Sequence, residues 1–277
     1  MKFKFKIIFS VILVLFLKVD LLAAEVDTLT ISSSFMEKEM KVILIRPTQY
    51  NEQTPILYLL HGYSGNENSW LEIKSDLPQW SDKYDMTIVC PDAENSWYWD
   101  SPQLKKSQYE SYFIKELIPY LSNRYNLSQD RSKTAITGLS MGGHGAFWYA
   151  LRYPNKFGAV GSTSGGLDLR GFKTNWNLSN HLGDYTHNSI VWDTYTVATY
   201  IDQFQKSNQS IIFDCGVDDF FYQANLEIHQ LMVEKKIKHD FISRPGAHNH
   251  AYWNNSIDYQ LLFFYKFFNK DTVSLSV

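Results

Sequence analysis

Apolar and polar residues alternate near the start of the chain, and short continuous apolar runs replace this alternation farther along. Residues 28–33 and 39–45 alternate around a polar turn, which predicts an antiparallel hairpin. The later runs have the pattern of strands that are buried on both faces of a sheet. They occupy residues 56–60, 86–90, 134–137, 159–162, 210–215 and 239–244.

Helical periodicity fills most of the intervals between these runs. The clearest amphipathic stripe lies in residues 107–122, despite Pro119 near its end, whereas residues from about 165 to 192 show no clear period. Further helices are predicted at residues 143–151, about 195–205, 223–236 and 255–268. Strands that alternate with helices indicate βαβ units, so we expect an α/β fold with a mainly parallel central sheet and helices on both faces.

The first 24 residues have the pattern of a secretory signal peptide. A lysine-rich start precedes an apolar run at residues 7–17, and Leu22-Ala23-Ala24 offers small residues for cleavage. The run is shorter than the roughly 20 residues of a membrane-spanning helix, although an uncleaved anchor is the alternative. We expect residues 1–24 to be a signal peptide and the protein to be exported, either periplasmic or secreted. No linker or repeat divides residues 25–277, so we expect one domain there, with no membrane partner after signal removal.

The charge of the chain argues against nucleic-acid binding, and its two cysteines are not expected to form a disulfide. The formal net charge is −3 with mixed signs, which gives no electrostatic footprint for nucleic acid. Cys90 and Cys215 both end predicted strands. If the strands take the order of the fold that the family resemblance described below implies, three other strands lie between the two cysteines, a separation of roughly 19 Å. A disulfide needs Cα atoms within about 7 Å, so we expect two free, buried thiols.

The pentapeptide Gly138-Leu139-Ser140-Met141-Gly142 lies between the strand at 134–137 and the helix that follows. Strand, G-x-S-x-G and helix together form the context of a nucleophile elbow. The glycines leave room for the tight turn, and the serine lies at the positive end of the new helix. We therefore predict that Ser140 is a nucleophile; the alternative is a Gly/Ser loop that matches by chance.

A serine hydroxyl needs a base to become nucleophilic, and the base needs a carboxylate to orient it. In proteins that carry a nucleophile elbow of this kind, the three residues follow one another along the chain in the order serine, acid, histidine. The strand at 210–215 leads to Asp218 and Asp219, which both stay candidates for the acid. Beyond the last strand, His248 is favoured over His250 because it is nearer to the turn at Gly246.

The oxyanion of an acyl-transfer reaction needs two backbone N–H donors. Met141, directly after the nucleophile, is predicted to provide one, and Tyr63, after His61-Gly62, the other. No metal-binding or phosphate-loop pattern is present, and His248-x-His250 lacks a third ligand. We therefore expect neither a metal nor a cofactor.

Five segments together resemble the esterase D family of α/β-hydrolases, which includes S-formylglutathione hydrolases, tributyrin-type carboxylesterases, feruloyl esterases and, more remotely, secreted mycolyltransferases. They are residues 59–67, 95–98, 116–120, 138–146 and 214–216. The resemblance spans about residues 40–268 and implies the α/β-hydrolase fold with a Ser-Asp-His triad. It implies that Asp219 is the acid of the triad. It also implies that the histidine of the triad is His248, which ends the turn at residues 245–248 (the histidine turn). The chain departs from the family at Ala247, where a second glycine is usual, and at His250, where an aromatic residue is common.

The resemblance and the predicted signal together imply an exported serine carboxylesterase. Its expected substrates are acetyl or hydroxycinnamoyl esters, including feruloyl esters, on plant polysaccharides or oligosaccharides; the signal argues against a cytosolic thiol ester. We predict that Trp70, Trp97 and Tyr98 stack on the substrate, the alternative being an aromatic lid packed against the protein itself. An acyltransferase and an inactive carbohydrate-binding protein are the alternative functions, and the sequence gives no oligomeric state.

Overall fold

The apolar runs form one eight-stranded sheet in the computed structural model, which describes residues 23–270. The sheet order is β1-β2-β4-β3-β5-β6-β7-β8. The first two strands form the predicted antiparallel hairpin, β2 pairs antiparallel with β4, and the other pairs are parallel. The strands are β1 (Glu25–Ser33), β2 (Lys38–Arg46), β3 (Ile56–Leu60), β4 (Thr87–Pro91), β5 (Thr134–Gly138), β6 (Ala159–Thr163), β7 (Ser210–Gly216) and β8 (Asp240–Arg244).

Ten α-helical segments accompany the sheet in the described part of the chain. They are α1 (Ser69–Ile73), α2 (Leu77–Tyr84), α3 (Tyr109–Tyr112), α4 (Ile118–Tyr125), α5 (Met141–Arg152), α6 (Leu178–Leu182), α7 (Tyr185–Thr194), α8 (Phe204–Ser207), α9 (Tyr222–Glu234) and α10 (His250–Phe268). A π-helical turn at Phe113–Leu117 joins α3 to α4. Pro119 lies in the first turn of α4, where a missing N–H is tolerated. None of the helices within residues 23–270 is long and apolar enough to cross a membrane.

The helices cover both faces of the sheet, as predicted. Successive residues of β3 show why: Tyr58 packs into one core with α3 to α5 and α9, while Leu57 and Leu59 pack into the other with α1, α2 and α10. A strand with apolar residues on both sides must be buried on both sides. The prediction for the cysteines is also confirmed. Cys90 and Cys215 are free and buried, and β3, β5 and β6 lie between their strands.

Two predictions of local structure were wrong. The stretch at 165–192 is not irregular throughout, because it contains α6 and most of α7. The last helix begins at His250, five residues earlier than predicted, because the Asn249 side chain caps it by accepting a hydrogen bond from the Tyr252 N–H (3.0 Å). The signal peptide prediction, apart from Ala23 and Ala24, lies outside the described residues.

Candidate active site

Ser140 occupies a strained turn between β5 and α5. The Ser140 backbone has φ 54° and ψ −116°. A positive φ is rare for residues other than glycine, because their Cβ atom clashes with the backbone there. The turn is held by its neighbours: the Ser140 N–H donates to the Thr163 carbonyl at 3.0 Å. A Cβ atom on Gly138 would lie 2.6 Å from the Gly142 backbone, and one on Gly142 would lie 2.4 Å from the Leu60 carbonyl oxygen. The spacing of the pentapeptide is therefore a packing requirement of the elbow.

Three side chains from distant parts of the chain form a hydrogen-bonded relay. The Ser140 Oγ lies 3.0 Å from His248 Nε2, and His248 Nδ1 lies 2.8 Å from Asp219 Oδ2. The other carboxylate oxygen of Asp219 accepts the Phe221 N–H at 2.8 Å, which fixes the carboxylate plane. The Asp219 side chain is fully buried, whereas Asp218 is exposed and has no place in the relay.

The acid turn and the histidine turn touch because glycine is present on both sides. A Cβ atom on Gly216 would lie 2.2 Å from the carbonyl oxygen of Gly246. That same carbonyl accepts the Asp218 N–H at 2.9 Å, and Gly246 has φ 140°, which L residues rarely adopt. The two loops are thus joined directly, one carrying the carboxylate and the other the imidazole.

A buried carboxylate fixes the strand that leads to the acid turn. Asp214, at the end of β7, accepts hydrogen bonds from Thr163 Oγ1 (2.7 Å), Tyr252 Oη (2.9 Å), Ser256 Oγ (2.5 Å) and Gln260 Nε2 (2.7 Å). Burial and the adjacent carboxylate raise the pKa of Tyr252, so its phenol keeps the proton that it donates. These bonds tie β7 to β6 and to α10, the helix that follows the histidine turn.

The two residues predicted to donate to the oxyanion both lie close to Ser140 in the structure, Met141 next to it in the chain and Tyr63 in the same cleft. Met141 is the first residue of α5, so its N–H has no partner within the helix. Tyr63 lies in the loop after β3 and lines the same cleft as Ser140. The next residue, Ser64, has φ 64°, and its N–H donates to Asn95 Oδ1 at 2.7 Å, which anchors this loop to the one after β4.

His61 locks the start of this loop. Its Nε2 accepts the Ala93 N–H at 2.8 Å, so the ring proton is on Nδ1, which lies 2.7 Å from the Gly62 carbonyl oxygen. The Tyr98 hydroxyl donates to the His61 carbonyl at 2.9 Å. The segment after β4 therefore acts as the scaffold for the loop that carries Tyr63.

The predicted substrate contacts of Trp70, Trp97 and Tyr98 were wrong. Their residues are only 1%, 1% and 0% exposed, and none of them lines the cleft. Trp70 Nε1 donates to the Leu60 carbonyl at 2.9 Å, so it supports the end of β3 from behind. The alternative, aromatic rings packed against the protein itself, is what the structure shows. Trp97 and Tyr98 have consecutive positive φ angles, and both side chains of this loop lie in the core.

A cleft of about 390 Å³ opens above Ser140 and is walled by aromatic side chains that the sequence analysis missed. The missed side chains are those of Trp176, Phe220 and Trp253. Tyr63, which the sequence analysis had named, lines the cleft as well. The Phe220 ring lies 4.2 Å from the His248 ring, and the Trp176 ring lies 5.6 Å from that of Phe220. Phe220 could have been found from the sequence, because it directly follows the predicted acid Asp219. Trp176 could not, because it lies in the stretch at 165–192 that shows no clear period. In the part of the chain that the structure describes, no group of three or more His, Cys, Asp or Glu side chains is placed to hold a metal ion.

Comparisons with known proteins agree with this architecture. A sequence model for a family described as "Putative esterase" matches residues 33–264. An acetyl esterase from Caldicellulosiruptor saccharolyticus is 31% identical over 222 residues, which cover 75% of this chain and 82% of that protein. An S-formylglutathione hydrolase from Arabidopsis thaliana is 26% identical over 230 residues, covering 73% and 78% of the two chains.

A solved structure of a ferulic acid esterase superimposes with a TM-score of 0.77 at 27% identity. The match covers 89% of this chain and 99% of that one. Together with the mostly parallel sheet, this confirms the α/β-hydrolase fold expected from the sequence.

Proposed function

This chain belongs to the esterase family matched above and is a carboxylic ester hydrolase, and we propose that it is an exported serine esterase. Its proposed substrates are acetyl or hydroxycinnamoyl esters on plant polysaccharides or oligosaccharides. The observation that carries the proposal is the continuous relay from Ser140 through His248 to Asp219 at the floor of an aromatic cleft.

The relay activates the serine for attack on the ester carbonyl. As the Ser140 oxygen forms its bond to the carbonyl carbon, His248 Nε2 takes the hydroxyl proton. The Asp219 carboxylate accepts the Nδ1–H, which selects the required tautomer and stabilises the imidazolium ion that forms. The protonated His248 then gives its proton to the departing alcohol, and an acyl-enzyme is left on Ser140.

The same groups run the second half of the reaction. The backbone N–H groups of Met141 and Tyr63 donate to the oxyanion of each tetrahedral intermediate. His248 takes a proton from water as the water attacks the acyl carbon, and it gives that proton to the Ser140 oxygen as the bond to Ser140 breaks and the acid is released. The rigid anchoring of the Tyr63 loop by Asn95 is important because a preorganised donor needs no rearrangement in the transition state.

The cleft favours a neutral acyl group over an anionic one. Of the residues that line it as described, none is a lysine or an arginine, and Glu72 adds a carboxylate. Trp176 and Phe220, tilted by 30° to each other, offer a surface on which a flat phenolic ring can stack. The similarity to an acetyl esterase and to a ferulic acid esterase supports both acyl groups as candidates.

We expect Trp176→Ala to change acyl preference. The variant should lower the ratio of kcat/KM for methyl ferulate to kcat/KM for 4-nitrophenyl acetate about fivefold, because an aromatic contact is worth about 1 kcal/mol beyond the area that it buries. A panel of acetyl, butyryl and feruloyl esters measures this ratio. The control is Trp80→Ala, which alters a half-buried tryptophan outside the cleft and should leave the ratio unchanged. A ratio that moves equally in both variants would exclude Trp176 from acyl binding.

An added alcohol acceptor and a fluorophosphonate, used beside the same panel of esters, separate the alternative functions. An acyltransferase would transfer the acyl group to an added alcohol in preference to water, and an inactive carbohydrate-binding protein would neither hydrolyse an ester nor react with a fluorophosphonate at Ser140.

Export is the part of the proposal supported by the sequence alone. The lysine-rich start, the apolar run at 7–17 and the small residues at its end support a cleaved signal. We expect the protein recovered outside the cytoplasm to begin at Glu25, as measured by amino-terminal sequencing. A mature chain that still carries residues 1–24 would show an anchor instead.

A further inference from the structure

We propose that a polar groove beside the catalytic cleft binds the alcohol part of the substrate, and that it selects a neutral sugar chain. This inference rests on the proposed esterase function and assigns a second site to it. The groove has a volume of about 770 Å³ and shares Ser64 and Gly65 with the cleft above Ser140. An ester held with its carbonyl at Ser140 can therefore extend past these two small residues into the groove.

The groove wall presents a hydrogen-bond acceptor and a donor close together. Asp92 Oδ1 accepts the Glu94 N–H at 2.8 Å, while its Oδ2 has no donor within residues 23–270. Asn95 Oδ1 is occupied by the Ser64 N–H, so the amide nitrogen of Asn95 is left to donate. A free carboxylate oxygen and a free amide N–H₂, each held by backbone contacts, match the alternating acceptor and donor needs of neighbouring sugar hydroxyls.

The charges in the groove argue against an acidic ligand. The Lys38 Nζ is 2.5 Å from Glu94 Oε2, and the Lys106 Nζ is 2.6 Å from Glu37 Oε2, so each lysine already has a carboxylate partner. Asp92 adds a further negative charge. A uronic acid would meet this charge without an unpaired cation to offset it, whereas a neutral pentose or hexose would not.

His181 also lies along the side of the groove. The residue is 5% exposed, and its ring packs edge-on against that of Trp99. Burial lowers the pKa of this imidazole, so the ring is neutral at pH 7 and adds no positive charge.

The aromatic and polar halves of the site thus assign the two parts of the ester. Trp176 and Phe220 lie on the acyl side, and Asp92 and Asn95 lie beyond the Ser64 loop on the alcohol side. This division predicts that the protein discriminates between a simple ester and a sugar ester of the same acid.

The test fills the groove with a bulky side chain. Ser107 lines the groove, is partly buried, and its hydroxyl has no hydrogen-bond partner in the described structure, so Ser107→Trp blocks the site without removing a contact. We expect the ratio of kcat/KM for acetylated xylotetraose to kcat/KM for 4-nitrophenyl acetate to fall at least tenfold. Ser189→Trp is the matched control, since Ser189 is exposed on α7 and lines neither site; its ratio should equal that of the unaltered protein.

Binding of unesterified sugars tests the groove independently of catalysis. Titration calorimetry with xylotetraose should show binding to the unaltered protein, and Ser107→Trp should raise its Kd at least tenfold. Tetragalacturonate should bind the unaltered protein more weakly than xylotetraose does. An unchanged ester ratio in Ser107→Trp, or tighter binding of the galacturonate, would overturn the proposal. If neither ester is hydrolysed, the proposed catalytic function fails, while the titrations still decide whether the groove binds sugar.

Discussion

Replacing Ser140 with alanine is expected to lower kcat for 4-nitrophenyl acetate at least a thousandfold. The reason is chemical, because the Oγ that lies 3.0 Å from His248 Nε2 is the proposed nucleophile, and no other atom of the relay can form the acyl-enzyme. The melting temperature should change little. Alanine meets the same backbone strain at φ 54°, and the glycines that make room for the elbow stay in place.

A neighbouring serine supplies the control for this variant. Ser162 is fully buried on β6, and its hydroxyl has no hydrogen-bond partner in the described part of the chain. Ser162→Ala should therefore retain kcat within a few-fold and should still react with a fluorophosphonate. Residual turnover above about one thousandth in Ser140→Ala, or continued labelling of that variant, would contradict the nucleophile assignment.

The sheet was predictable because its strands carry their burial in their own residues. The continuous apolar run of β3 alternates between two cores, and a short run of this kind between turn residues is typical of a strand that is buried on both faces. The position of the relay followed for a related reason. Parallel strands deliver their following loops to one edge of the sheet, so Ser140, Asp219 and His248 had to approach one another once the strand order was right.

The walls of the cleft were not predictable in the same way. Trp97 and Trp176 are both tryptophans in polar, turn-rich stretches, yet one is 1% exposed and the other lines the cleft. The difference comes from tertiary contacts: the Trp97 indole packs against the rings of Trp99 and His144 in the core. The start of α10 was missed because the side-chain cap at Asn249 is a local hydrogen bond that apolar periodicity does not record.

The two adjacent acids at the end of β7 allow a second large effect to be tested within one turn of chain. Asp219→Asn is expected to lower kcat about ten thousandfold, because an amide N–H₂ facing His248 Nδ1 favours the tautomer that leaves Nε2 protonated. The fold should persist, since the asparagine oxygen can still accept the Phe221 N–H. Initial rates with 4-nitrophenyl acetate, together with melting temperatures, measure both quantities.

Asp218→Asn is the matched substitution one residue away, and it should leave kcat within twofold. Asp218 is exposed, and its link to the histidine turn is through the backbone, where its N–H donates to the Gly246 carbonyl at 2.9 Å. That bond does not depend on the side chain. The rate of fluorophosphonate labelling should fall with kcat in Asp219→Asn, because both reactions require the proton of Ser140 to pass to His248. A larger loss in Asp218→Asn than in Asp219→Asn would mean that the carboxylate of the working enzyme is not the one that the structure places against the imidazole.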